Sequence, residues 1–250
     1  MGAKKSNTSV RGSKQSLRTA RSIEDQALKA LMVVAPSVLA LTLVVSGLML
    51  GVSALPITGR PSMSIFISLS SSLIAFGLFL SLYPRAVAQA APNSYLVSAK
   101  RSVRWFDAVS LGIVYALIVF ALTVLSARVM AASFEGLQFD IYTASVLVGI
   151  ACGLVAYGVV RMVGGINSNQ IINVLALFLV GGVTLSMLTA QDPLWWEANF
   201  STLGQSTQRG TASFYAFNFT LIFSALAIIV LARHLYADMQ ALMEQGSLLG

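Results

Sequence analysis

Few side chains in this 250-residue chain are equipped for chemistry, and their placement limits the chemistry they could do. There is one histidine, His234, beside Arg233, and one cysteine, Cys152, inside an apolar run. One His and one Cys cannot fill the four-ligand set of a structural zinc site. A lone Cys excludes an intramolecular disulfide. An intramembrane metalloprotease needs two histidines and a carboxylate. A Ser-His-Asp triad needs a base beside its nucleophile, and the serine- and acid-bearing segment 191–213 contains no histidine. No catalytic residue, cofactor or metal is therefore expected. His234 reads as a cation that complements the negative end of a helix dipole.

The densest set of hydrogen-bonding groups is QDPLWWEANFSTLGQSTQRGTAS, residues 191–213. Asp192 followed by Pro193 suits a helix cap and first position. Trp196, Phe200 and Leu203 then fall at i, i+4 and i+7, an apolar stripe. Glu197, Ser201 and Gln205 form a polar one, and Gly204 can end the short helix. Such a helix lies in a membrane interface, with Trp195 and Trp196 as anchors at headgroup level. The sharper expectation is that Asn199 or Ser201 fixes this loop onto the mouth of the helices. Asn218, one turn inside the last apolar block, would belong to the same cluster. A regular helix could aim only one of Asn199 and Ser201 inward. The plainer reading is an anchor loop in which only the tryptophans matter.

The elements that must position these groups follow from composition. Apolar residues make up 56% of the chain and charged residues 10%, where a soluble domain carries about 25% charged residues. Crossing a bilayer core of about 30 Å takes about 20 helical residues. Six stretches meet that length: about 29–51, 63–83, 106–129, 141–160, 171–190 and 214–235. The expected fold is all-α, a polytopic six-helix membrane bundle. The first block is longer than the roughly 7–15 apolar residues of a signal peptide, so it reads as an uncleaved span. Ser22, Glu24 and Asp25 look like its start, and Pro36 is a candidate kink.

Residues 1–21 are Ser-, Lys- and Arg-rich and read as a disordered cytoplasmic tail. A short tail, 239–250, follows the last span. Seven of the sixteen Lys and Arg lie in the first 29 residues, which explains the net charge of +7 without nucleic acid as a partner. With the N-terminus inside, thirteen Lys/Arg fall on the inner side, including Arg85, Lys100, Arg101, Arg104, Arg161 and Arg233. Three fall outside: Arg60, Arg128 and Arg209. That asymmetry places both termini in the cytoplasm. The tail could also bind anionic lipid headgroups.

No Asp, Glu, Lys or Arg sits near the middle of a span. Asp107, Arg128, Arg161 and Arg233 fall near span ends, where long side chains snorkel. This argues against a proton-coupled transporter with an embedded carboxylate. Ser64, Ser68 and Ser72 share one face of the second span. Ser145, Gly149 and Gly153 share one face of the fourth, a small-residue surface for packing within the bundle or for a homo-oligomer. Gly164 and Gly165, followed by Asn167, Ser168, Asn169, Gln170 and Asn173, read as a tight turn.

The run WWEANFSTLG, a polar spacer, then AFNFTLIFSALAIIVLARHL resembles the bacterial membrane family called domain of unknown function 998. The matching positions are Asn199, Ser201, Leu203, Gly204, Phe217 and Asn218, within residues 190–240. In that family the motif precedes several further helices; here it precedes the last. The family has no established activity, so the resemblance implies location rather than mechanism. The function expected is a non-enzymatic accessory or scaffold component of a cell membrane. The alternative is a transporter or lipid-handling protein with a largely apolar cavity beneath the 192–210 loop.

Overall fold

Backbone amides cannot stay unpaired in hydrocarbon, so a chain with long charge-free blocks must wind them into helices. The computed structural model describes residues 3–51, 53–59, 62–89, 100–134, 136–192, 194–197, 199–205 and 211–247. Side chains are described from Arg21 onward, except those of Met49, Gln89, Trp195 and residues 244–247. The fold is all-α. The helices are α1 (Ala3–Leu43), α2 (Met63–Gln89), α3 (Arg101–Ser133), α4 (Ile141–Gly164), α5 (Ser168–Leu188) and α6 (Ala212–Ser247). Each contains a segment long and apolar enough to cross a membrane.

The helices overrun the apolar blocks. Helix α1 begins at Ala3, so residues 3–21 are helical where an unstructured tail was expected, and Ser22 is interior rather than a cap. Once the apolar part has nucleated a helix, extension adds one hydrogen bond per residue, and polar residues can follow. The same reason carries α6 past the expected end at 235 to Ser247, through most of the expected C-terminal tail. It also starts α3 at Arg101 rather than 106.

The chain forms two compact units. The first holds residues 1–82 and 119–165. In it α1 lies along α4. Its apolar core gathers Val38, Leu55, Met63, Ala144, Val148 and Cys152. Helix α1 continues as a π-helical turn, Val44–Met49. Here the Thr42 hydroxyl donates to Val38 O at 2.8 Å and that of Ser46 to Thr42 O. Hydroxyls bonding back onto their own helix bend it. Beyond Gly51 (φ 61°) two three-residue strands pair antiparallel. These are β1 (Ala54–Pro56) and β2 (Gln138–Asp140), with Leu55 opposite Phe139. Asp140 ends β2 and caps α4, accepting from the amides of Tyr142 (3.1 Å) and Thr143 (3.0 Å).

The second unit holds residues 83–118 and 166–250, with α5 along α6. The turn between α4 and α5 is shorter than expected: α4 runs through Gly164, Asn167 caps α5 by accepting from Gln170 N at 2.9 Å, and Ser168, Asn169, Gln170 and Asn173 lie within α5 rather than in the turn.

Candidate functional site

The small-residue face of α4 meets α1 of the same chain. A Cβ on Gly149 would lie 2.6 Å from the Ala35 carbonyl oxygen, and one on Gly153 2.9 Å from Ala35 Cβ. Ser145 is fully buried, its hydroxyl donating to Ile141 O at 2.7 Å. Of the two roles open to this face, the structure shows packing within the chain. The serines of α2 serve their own helix: Ser68 donates to Ser64 O (2.7 Å) and Ser72 to Ser68 O (2.6 Å).

The 191–213 segment differs from the regular helix expected. It has two short 3-10 turns, Trp195–Glu197 and Phe200–Gly204, so the apolar stripe is not carried on one α-helix. Asp192 accepts from Leu194 N at 2.9 Å, a local turn that ends before the first of them begins, so it is not the cap of a helix. Asn199 and Ser201 are both exposed, and the Ser201 hydroxyl donates to Asn199 Oδ1. Neither reaches into the helices, which corrects the expectation that one would. Two adjacent polar side chains in a tight turn satisfy each other at less entropic cost than by reaching another element.

Asn218 and Gly204 make the connection instead. Asn218 is half-buried, and its amide donates to Phe214 O (2.9 Å) and to Gly204 O (3.3 Å). Glycine is required at that approach, since a Cβ on Gly204 would lie 2.6 Å from Phe217 Cδ1. Leu203 beside it is buried, whereas Trp196 and Phe200 are exposed. The Trp195 side chain and residues 206–210 lie outside the described residues.

Sequence reasoning missed a polar layer in the second unit. Asp107 of α3, 2% exposed, forms an ion pair with Arg233 of α6. The Arg233 guanidinium also lies 5.2 Å from the Phe106 ring centroid, a cation–π arrangement. One residue on, His234 is buried, with Nε2 3.0 Å from the Tyr83 hydroxyl of α2. One turn further along α6, Asp238 accepts from the Ser168 hydroxyl at the start of α5. Three helices are thus bonded to α6 within six residues.

This corrects two readings. Asp107 and Arg233 do not each snorkel to water; they neutralise each other, because an aspartate is too short to reach the surface from a buried position. His234 does not complement a helix end, since α6 runs thirteen residues beyond it. Opposite charges near the same proposed face of two spans were the available signal. Toward the opposite end of the α5–α6 pair the Ser186 hydroxyl donates to Ser213 O (2.9 Å). Gly182 leaves room for Thr220, whose Cγ2 would lie 2.6 Å from a Cβ there.

Among the described residues no three of His, Cys, Asp and Glu are grouped as a metal site. Only two buried side-chain polar atoms, Gln170 Oε1 and Ser224 Oγ, have no partner among the described residues. Chemically, the arrangement holds helices together through satisfied polar groups. Comparison with protein-family models, with curated proteins and with solved structures finds no match to this chain.

Proposed function

We propose that this chain is a multi-pass protein of a bacterial plasma membrane, with both termini cytoplasmic, acting as a non-enzymatic accessory or scaffold component. The observation that carries this reading is the use of polar groups inside the spans. Asp107, Arg233, His234, Asp238, Ser168, Ser186 and Asn218 are all engaged with other parts of the chain. Groups committed to one another position helices and are not presented to a substrate. The Lys/Arg asymmetry supports the orientation, and the exposed Trp196 and Phe200 suit an interfacial loop. The likeness of residues 190–240 to domain of unknown function 998 stands as part of this proposal on its motif residues alone. So does binding of anionic headgroups by the N-terminal tail.

A transporter or lipid-handling protein is the second reading. It draws on the same titratable layer, since intramembrane charge also marks ion and substrate pathways. Cysteine accessibility separates the two, in a Cys152→Ala background. Under the scaffold reading, cysteines at Ser186 and Ser224 are dry and unreactive toward a water-borne thiol reagent. Labelling at both would reveal an aqueous path and favour transport. In intact cells, cysteines at Ser6 and Ser247 should be shielded and one at Thr207 should react; the reverse pattern would overturn the orientation.

A further inference from the structure

The polar layer fixes where four other cations stand. Tyr83 near the end of α2 and Asp107 near the start of α3 contact adjacent residues of α6, His234 and Arg233. The two helix ends are therefore neighbours. Helix α2 runs outward past Tyr83 to Arg85. Read backwards from Asp107, α3 runs outward to Arg104, Arg101 and then Lys100 just before it. All four cations thus lie beyond the layer, at one end of the second unit. Arg85, Lys100 and Arg101 are exposed and Arg104 is half-exposed. The one ion pair among the described residues is Asp107–Arg233, so that nearby carboxylate is spent on Arg233 and not on the rim.

The rim is joined to an apolar surface. Lys100, Arg101, Arg104 and Trp105 fall at i, i+1, i+4 and i+5, one face of a helical turn. Trp105 is 42% exposed at the start of a span. Cations above, an indole at the boundary and an apolar helix below match an anionic phospholipid in order: phosphate, glycerol region, acyl chain. We infer that the start of α3, with Arg85, is a site for an anionic phospholipid of the phosphatidylglycerol class. Arg101 and Arg104 contact the phosphate and Trp105 the glycerol region. The site uses none of the N-terminal tail's residues, and it rests on the membrane reading above.

Trp105 supplies a local probe, because the other two tryptophans are Trp195 and Trp196. The purified full-length Trp195→Phe/Trp196→Phe chain would be placed in dodecyl maltoside micelles containing brominated phosphatidylglycerol or brominated phosphatidylcholine. Bromine quenches only an indole it touches. Quenching at lower concentration by the phosphatidylglycerol is expected. Since each cation near an anionic surface contributes about fivefold, Arg101→Gln with Arg104→Gln should weaken this response about 25-fold. The Lys pair Arg101→Lys/Arg104→Lys should largely keep it, which guards against a folding artefact. Replacing Lys4, Lys5, Arg11, Lys14 and Arg18 by Gln should leave it intact. Equal quenching by the two lipids, an unaffected Gln variant, or loss of quenching on tail neutralisation would each overturn the site. Displacement of the lipid by millimolar inorganic phosphate would do so too, by showing a plain anion site. No quenching by either lipid would place Trp105 outside the bilayer boundary and count against the membrane reading itself.

Discussion

Replacing Gly149 by Ala adds one methyl group at the tightest point between α1 and α4. That carbon would lie 2.6 Å from the Ala35 carbonyl oxygen and 3.0 Å from Leu39 Cβ, where real Cβ contacts essentially never fall below 3.0 Å. The first obstacle is backbone, which cannot rotate aside, so the helices must part. Overpacking of this kind costs about 1–3 kcal/mol. At roughly 2–4 °C per kcal/mol for a chain of this size, the melting midpoint in detergent should fall by about 2–12 °C. Gly158 on the same helix is an internal control, because a Cβ there meets nothing within 4 Å. Gly158→Ala should be neutral or stabilising by up to about 1 kcal/mol, through helix propensity alone. A second control uses the chemistry of the obstacle. Gly153→Ala meets the Ala35 methyl at 2.9 Å, so adding Ala35→Gly should restore much of the lost stability. The same Ala35→Gly change cannot rescue Gly149→Ala, whose obstacle is the Ala35 carbonyl. If Gly149→Ala melts at or above the wild-type temperature, or Ala35→Gly rescues both variants alike, the seam is not packed as described.

Breaking the buried pair by Asp107→Asn or by Arg233→Leu should cost about 3–5 kcal/mol, because one charge is left uncompensated. The double change to Asp107→Leu/Arg233→Leu should be milder than either alone, and a strictly additive loss of thermal stability would count against the pairing. Asn218→Ala and Gly204→Ala should each release the loop before α6, read as faster proteolysis within 191–211 with the global midpoint little changed; a loop as protected as in the wild type would refute the latch. Asp140 is held below the usual carboxylate range by hydrogen bonds from the Thr143 side chain and backbone and from Tyr142 N. Its depressed value means the cap is at full strength above the ordinary Asp pKa of about 3.9 and is lost as pH falls through the lower folded value. Hydrogen exchange at Tyr142 and Thr143 should therefore show extra opening only in acid below that point, and Asp140→Asn should abolish the acid step; opening that begins near neutral pH would contradict the cap.

The sequence by itself determined that this chain has six long apolar helices, because apolar length is a local property and hydrocarbon admits little else. It also exposed the small face of α4 and singled out Asn218, since glycine and buried amides are conspicuous in such surroundings, but it assigned the loop contact to Asn199 or Ser201, where the backbone carbonyl of Gly204 makes it. What covers a face is not local. That Gly149 and Gly153 meet Ala35, more than a hundred residues earlier, depends on how two helices cross. The helix ends were misjudged because hydropathy marks the apolar block, whereas hydrogen-bond propagation decides where winding stops, as at Ala3 and Ser247. The strands Ala54–Pro56 and Gln138–Asp140 are three residues each, too short for an alternating pattern, and exist only because the fold brings them side by side. The polar layer belongs wholly to tertiary structure. Asp107 and Arg233 stand 126 positions apart, and Tyr83 and His234 stand 151 apart. Each residue alone reads as an ordinary side chain near a helix end. Only the convergence of α2, α3 and α5 on one stretch of α6 turns them into partners, because the cost of burying a charge is offset by a neighbour that sequence position does not reveal.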